Sequence, residues 1–312
     1  MIEAHSLTKR YGAKTAVDTI DFTVRPGHVT GFLGPNGAGK STTMRMIVGL
    51  DRPTNGSVTV NGKPYAEHRA PLHQVGALLD AKAVHTGRSA RNHLLAIAAT
   101  HGIGAKRVDE VIGLTGLESV ARKRVGGFSL GMGQRLGLAV ALLGDPATLI
   151  LDEPVNGLDP EGVAWVRQFV RHLAGEGRTV FLSSHLMSEM AQTADHIIVL
   201  GRGRIVADAP VNEILANASG GSVKVRTPQI AQLGPLLESE GASATATAPD
   251  LLSVTGIAAQ RVGEIAAGAG VVLYELTPLT GSLEDAYMEL TRDSIEYATA
   301  DYDTPTTAEA TR

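Results

Sequence analysis

Short apolar runs alternate with helix-type spacing over the first two thirds of the chain. The strand-type runs span Val17–Val24, His28–Leu33, Ala147–Leu151 and Thr179–Leu182. The second run leads directly into a glycine-rich loop, and the segment Lys40–Leu50 behind that loop has helical spacing of its apolar residues. Buried strands that alternate with helices favour a parallel sheet. The pattern therefore predicts an α/β fold.

The periodicity also divides the chain into segments. A helical pattern over about 85–130 predicts a helical insert within a main domain of residues 1–215. Between 220 and 292, short strand-type and helix-type segments predict a small C-terminal α+β domain. Its strands are expected at Val223–Arg226, Leu251–Thr255 and Val271–Leu276. Residues 293–312 lack apolar periodicity and predict a disordered tail.

Composition narrows the function classes. Of 312 residues, 43% are apolar and 19% are charged, which is typical of a globular protein. A net charge of −4 gives no general attraction to nucleic acid, so no nucleic-acid partner is expected. The absence of cysteine excludes disulfides and thiolate metal sites. No apolar stretch approaches the ~20 residues of a membrane span, and the N-terminus lacks a signal-peptide pattern, so we expect a protein that stays where it is made.

The glycine-rich loop carries the strongest chemical signal. Its sequence GPNGAGKS fits the phosphate-binding pattern G-x-x-x-x-G-K-[ST] between a predicted strand and a predicted helix. Glycines let successive N–H groups converge on phosphate oxygens, Lys40 offers a positive charge to the β and γ phosphates, and Ser41 can ligate Mg²⁺. The residues predicted to bind nucleotide here are Gly34, Pro35, Asn36, Gly37, Ala38, Gly39, Lys40, Ser41 and Thr42. The loop predicts a P-loop NTPase fold with ATP and Mg²⁺ as cofactors.

A second acidic site follows the strand-type run that ends at Leu151. Asp152 and Glu153 are expected at the carboxyl edge of the parallel sheet, where ligands bind in this class of fold. Asp152 is predicted to hold Mg²⁺ through its water shell, and Glu153 to take a proton from the attacking water. Together with the phosphate loop, this pair predicts hydrolysis of ATP.

With these two motifs in place, the chain resembles the ATP-binding subunits of ABC transporters over residues of about 2–215. The segment Ser129–Arg135 (SLGMGQR) is similar to that family's signature sequence, and Gly157-Leu158-Asp159 to its D-loop. The resemblance implies that Ser129, Gly131 and Asp159 contact nucleotide held by the other subunit. It also implies that His185 is the catalytic switch histidine and that Tyr11 stacks on adenine.

Two positions depart from the family pattern. Asp80 stands where a glutamine is usual; it is a charged acceptor that cannot donate a hydrogen bond, yet it can reach Mg²⁺ or its waters. Leu130 replaces the first glycine of the signature, a substitution that is tolerable if its side chain points away from the phosphate. Asp80 is therefore an expected metal ligand. The resemblance also implies that Asp80 changes how nucleotide binding is coupled to the membrane permease with which such subunits work.

The resemblance implies an ATP-sandwiched homodimer that docks on a separate membrane permease, at the cytoplasmic face of the cell membrane. A cassette followed by a small C-terminal domain is similar to the daunorubicin-resistance and other multidrug exporter ATPases, whose permeases are of the ABC-2 type. Two alternatives stay open: an ABC importer ATPase, and an ABC ATPase that acts on ribosomes or DNA. Ribosome factors carry two cassettes and DNA-repair members long coiled coils, and neither is present in this sequence.

Overall fold

A computed structural model describes residues 1–80, 84–218, 222–279 and 282–291. The strands are β1 (Ile2–Tyr11), β2 (Lys14–Val24), β3 (Val29–Leu33), β4 (Asn55–Val60), β5 (Val75–Leu78), β6 (Thr148–Leu151), β7 (Thr179–Ser184), β8 (His196–Gly201), β9 (Arg204–Pro210), β10 (Val223–Arg226), β11 (Ser243–Ala248), β12 (Leu251–Thr255) and β13 (Glu275–Pro278). The helices are α1 (Lys40–Ile47), α2 (Ala90–Thr100), α3 (Ala105–Leu114), α4 (Leu130–Leu142), α5 (Pro160–Gly175), α6 (Met187–Thr193), α7 (Val211–Ala218), α8 (Ile230–Ser239), α9 (Ala259–Gly268) and α10 (Leu283–Thr291).

The centre of the fold is a six-stranded sheet with the order β5-β6-β7-β3-β8-β9. All neighbours are parallel except β8 and β9, which form an antiparallel hairpin. Successive side chains of a strand point to opposite faces, so the strands supply two separate cores. On β7, for example, Val180 and Leu182 join the core on one face and Phe181 the core on the other. Burial on both faces explains why these strands are continuous apolar runs in the sequence.

A three-stranded antiparallel sheet, β2-β1-β4, covers one face of the central sheet. Ile2 of β1 pairs with Val24 on one side and with Val60 on the other. The two sheets meet through three phenylalanines, whose ring centroids are 5.1 to 6.0 Å apart: Phe22, Phe32 and Phe181. This packing fixes the strand that precedes the phosphate loop.

The segment predicted as a helical insert contains α2 and α3, which pack on α4. Ser89 caps α2 by accepting a hydrogen bond from the Asn92 N–H. Arg91 of α2 makes an ion pair with Asp109 of α3, with a 2.7 Å N–O distance. The buried side chains between these helices are continuous with the core of the central sheet, so α4 is held at a defined position relative to that sheet.

The C-terminal segment forms an antiparallel sheet of order β11-β12-β10-β13 with its own hydrophobic core beneath α8 and α9. The last predicted strand begins at Glu275 rather than Val271, and β11 was not predicted. Helix α10, which the prediction assigns to this segment, instead buries Leu283 and Ala286 in the core of the cassette against α7.

The predicted tail at 293–312 lies outside the described residues. No helix in the described ranges has the length and apolar character that crossing a bilayer requires.

Candidate active site

The order of the central strands brings the predicted catalytic groups to one edge of the sheet. Strands β6, β7 and β3 are direct neighbours and parallel, so their carboxyl ends lie side by side. Asp152 and Glu153 follow β6, His185 follows β7, and Gly34 follows β3. The sheet therefore assembles the acidic pair, the histidine and the phosphate loop, as the sequence predicted.

The phosphate loop has the backbone that an anion cradle requires. Gly39 has φ of +111°, and a Cβ there would lie 2.5 Å from the Ala16 carbonyl oxygen, so the position requires glycine. Lys40 follows at the start of α1 with only 6% of its side chain exposed. Its Nζ donates to the Gly34 carbonyl oxygen at 2.6 Å and lies 3.7 Å from Glu153 Oε1. Burial lowers the pKa of the Lys40 ammonium, and the carboxylates of Glu153 and Asp152 oppose that change.

Ser183, a residue that the sequence analysis did not select, connects the two acidic residues. Its side chain is fully buried at the end of β7. The hydroxyl donates to Asp152 Oδ1 at 2.5 Å and accepts a hydrogen bond from the Glu153 N–H at 2.9 Å. A hydroxyl can make both bonds because it is donor and acceptor at once. The sequence feature that could have identified Ser183 is a small polar residue near the end of a buried apolar strand, close to a histidine.

Glu153 occupies a strained and well-determined position. Its φ is +50°, in the left-handed region that a residue with a Cβ seldom adopts. Its carboxylate oxygens face two different partners: Oε2 lies 2.8 Å from His185 Nδ1, and Oε1 faces Lys40. Strain of this kind persists where surrounding contacts determine the geometry, and it concentrates at functional sites. A glutamate held between a histidine and a lysine can accept a proton from water bound beside them.

The remaining predicted ligands of nucleotide and metal surround the same helix. Tyr11 is half exposed, and its hydroxyl donates at 3.0 Å to Oδ2 of Asp51, which lies just beyond the C-terminal end of α1. Ser41, Asp80 and Asp152 line one cavity of about 770 Å³. In the described part of the chain, no three histidine or carboxylate side chains form a metal cluster by themselves. A Mg²⁺ ion would thus share ligands with the phosphates of the nucleotide.

Ser129, Gly131 and Asp159 form a second group. They line a separate cavity of about 220 Å³, and none of the residues around Lys40 contributes to it. Ser129 caps α4 through its hydroxyl, and Asp159 caps α5 by accepting from the Gly162 N–H at 2.8 Å. Two helix N-termini thus meet at this cavity, a favourable setting for an anion.

Leu130, the departure in the signature, packs against the D-loop. A Cβ built on Gly157 would lie 2.3 Å from Leu130 Cδ2, so the leucine occupies the space beside that glycine. The Leu130 side chain is nevertheless 47% exposed. The substitution therefore creates an apolar contact between signature and D-loop within one chain.

Comparison with known proteins decides the family. A protein-family model described as "ABC transporter" matches residues 17–156. The bacitracin transport ATP-binding protein BcrA of Bacillus licheniformis is 41% identical over 69% of this chain and 71% of that protein. The chain belongs to the ABC transporter family. It is an ATP-binding, ATP-hydrolysing subunit, as predicted.

Further similarities of this ABC transporter subunit agree with that assignment. The daunorubicin resistance ATP-binding protein DrrA3 of Streptomyces coeruleorubidus is 39% identical over 72% of this chain and 73% of that protein. The solved structure of the ATP-binding subunit of an ABC transporter superposes with a TM-score of 0.63 at 26% identity, over 70% of this chain and 92% of that one. A family model for a domain of unknown function matches residues 221–284, the C-terminal segment. The predicted P-loop ABC ATPase fold is confirmed.

Proposed function

We propose that this subunit hydrolyses ATP as a homodimer in which two nucleotides are sandwiched between the protomers. The arrangement of the predicted site residues supports the proposal. The phosphate loop, Glu153 and His185 form one group, whereas Ser129 and Asp159 form another around a different cavity. A single chain thus presents two incomplete halves of a nucleotide site. A second copy, turned by a two-fold axis, would complete both.

In the completed site, the chemistry is distributed over the residues at the sheet edge. The backbone N–H groups between Gly34 and Thr42, apart from Pro35, which has none, and the Lys40 ammonium would hold the phosphates. Ser41, Asp152 and Asp80 would hold Mg²⁺ directly or through its waters, and the ion would supply charge stabilisation of the transferred phosphoryl group. Glu153 would accept the proton of the attacking water, with His185 contacting the γ-phosphate and orienting that water.

We propose further that the subunit docks on an ABC-2 type permease at the cytoplasmic face of the cell membrane. The cavity of about 770 Å³ that contains Asp80 continues between the sheet and the helical insert. Its wall is largely apolar and includes Tyr65, Leu79 and Ile97. A wall of this kind fits the apolar face of a short helix from a membrane protein. Asp80 would connect this contact to the metal site.

The transported compounds are proposed to be peptide antibiotics or other hydrophobic drugs, moved outward. Support comes from the names of the two relatives above, one of which is named for bacitracin transport and the other for daunorubicin resistance. Selectivity would lie in the permease, because the subunit contributes the ATP site alone. Expression together with its permease should raise the resistance of a sensitive host to the transported drug. A Lys40→Ala variant of the same pair should give no resistance.

The dimer proposal is tested by Glu153→Gln. This change removes the proposed base but preserves the size of the side chain. We expect ATP turnover to fall to background while ATP still binds, so that Mg-ATP converts the variant into a stable dimer in size-exclusion chromatography. A variant that hydrolyses ATP normally would exclude Glu153 as the base. A variant that is inactive but stays monomeric with bound ATP would contradict the sandwich.

A further inference from the structure

Helix α6 begins two residues after His185 and has only seven residues. A helix this short is marginal in isolation, because nucleation costs more than so few hydrogen bonds return. The residue at its N-cap, Leu186, offers no side-chain acceptor. The position of α6, and therefore the direction in which the chain leaves His185, depends on contacts with other elements.

Besides the buried packing of Met190, two arginines of α5 supply polar contacts to α6. Arg167 Nη2 donates to Glu189 Oε2 at 2.5 Å, and Nη1 donates to Gln192 Oε1 at 2.7 Å. The side chains of Arg167 and Glu189 are each about three-quarters buried, with 25% and 27% exposed. One turn later, Arg171 Nη1 donates to the carbonyl oxygens of Gln192 and Thr193, at 3.1 and 3.4 Å. These last carbonyls of a helix have no partner within the helix, so Arg171 satisfies its C-terminus.

The same helix α5 is fixed at its other end by the signature and the D-loop. Asp159 forms its N-cap, and the Trp165 ring lies 4.1 Å from the guanidinium of Arg135 on α4. A planar guanidinium over an indole is a favourable cation–π contact. Helix α5 is therefore in direct contact with the signature helix α4, with the D-loop and with α6, the helix that follows His185 in the chain.

We infer that Arg167 is a positioning residue for His185. By holding α6 against α5, it keeps His185 Nδ1 at 2.8 Å from Glu153 Oε2. It also links the histidine to the helix that starts at the dimer-facing D-loop. Arg167 contacts neither Lys40 nor the phosphate loop, so it acts on the rate of hydrolysis and not on nucleotide binding. The inference rests on the proposed roles of Glu153 and His185.

The test compares Arg167→Ala with Arg167→Lys, and with Gln168→Ala as a matched control on the exposed side of the same helix. Loss of two charge-assisted hydrogen bonds should lower kcat for ATP about tenfold in Arg167→Ala and leave KM within about twofold. The lysine variant should recover part of the rate, because an ammonium can pair with Glu189 but cannot reproduce the two-pronged geometry. Gln168→Ala should match the wild type. Wild-type kcat in Arg167→Ala would overturn the inference.

A second measurement separates positioning from general destabilisation. Amide hydrogen exchange should accelerate at residues 185–193 in Arg167→Ala and remain unchanged in the phosphate loop; equal acceleration in both would overturn the inference. In single-turnover assays, Arg167→Ala should add no further loss to His185→Ala, whereas multiplied losses would place Arg167 outside the His185 pathway. Normal turnover by His185→Ala itself would refute the proposed role of the histidine. A slow His185→Ala beside a normal Arg167→Ala would refute this inference alone.

Discussion

Ser183→Ala should slow hydrolysis strongly while leaving ATP binding intact. The change deletes the hydroxyl that donates to Asp152 Oδ1 and accepts from the Glu153 N–H. It also releases Glu153 from the contact that holds its backbone at a φ of +50°. Both acidic residues would keep their charge but lose their fixed orientation.

The size of the effect follows from the two hydrogen bonds. A hydrogen bond to a charged group contributes about 1.5 to 3 kcal/mol. If this whole energy serves to hold Asp152 in its reactive orientation, kcat falls between about tenfold and about 150-fold. The Glu153 N–H left without a partner adds about 1 to 3 kcal/mol of lost folding stability. Neither Lys40 nor the phosphate loop is hydrogen-bonded to the Ser183 hydroxyl. The Kd for ATP should therefore change by less than about twofold.

The assay is steady-state phosphate release with a parallel titration of ATP binding. Thr115→Ala is the matched control, because Thr115 is also fully buried and its hydroxyl donates to the Val111 carbonyl oxygen at 2.8 Å, far from the sheet edge. It should lose stability but keep kcat. The reasoning would be refuted by a wild-type kcat in Ser183→Ala. A loss of ATP affinity as large as the loss of kcat would refute it as well.

Two other predictions concern the cavity beside the proposed Mg²⁺ site. Asp80→Gln should retain basal ATP turnover, since Ser41 and Asp152 remain, but alter the stimulation by a reconstituted permease; complete loss of basal activity would make Asp80 an essential Mg²⁺ ligand. Burial is the main cause that lowers the pKa of the His93 imidazole, and the charges of Arg88 and His85 lower it further. The native state therefore keeps His93 neutral where the unfolded chain takes up a proton, so stability should decrease as the pH falls below about 6.5. Urea unfolding of His93→Phe should show a weaker decrease, and an unchanged pH dependence would contradict this.

The features that the sequence predicted well depend on local patterns. Strand β3 lies within the apolar run predicted at His28–Leu33, because a central parallel strand is buried on both faces. The loop behind it has a motif with fixed spacing, and the chain can form that turn only with glycine at positions such as Gly39. The roles of His185 and Ser129 come from the family resemblance and stay predictions. In these cases, the residues that define the feature are close in sequence.

The missed features depend on partners far along the chain. Strand β1 alternates irregularly between buried and exposed residues, because register shifts interrupt its pairing with both β2 and β4. Strand β11 consists of serine, alanine and threonine at the edge of its sheet, so its sequence carries little apolar signal. Ser183 became recognisable only when β7 was found beside β6. Sequence spacing alone cannot reveal a hydrogen bond that joins residues 31 positions apart.

In the proposed homodimer, hydrolysis would be coupled to association of the protomers, because the two groups of site residues lie around different cavities of one chain. Glu153 and His185 already lie in contact in one chain, so the local geometry for proton transfer exists before a partner arrives. Near Lys40, one chain presents the N-terminus of α1, whereas the pair of helix N-termini capped by Ser129 and Asp159 lies at the other cavity. A phosphate that is held from one side lacks the stabilisation that the N-termini of α4 and α5 would give to developing negative charge. A rate of hydrolysis that increases more steeply than protein concentration is therefore the expected kinetic signature of this arrangement.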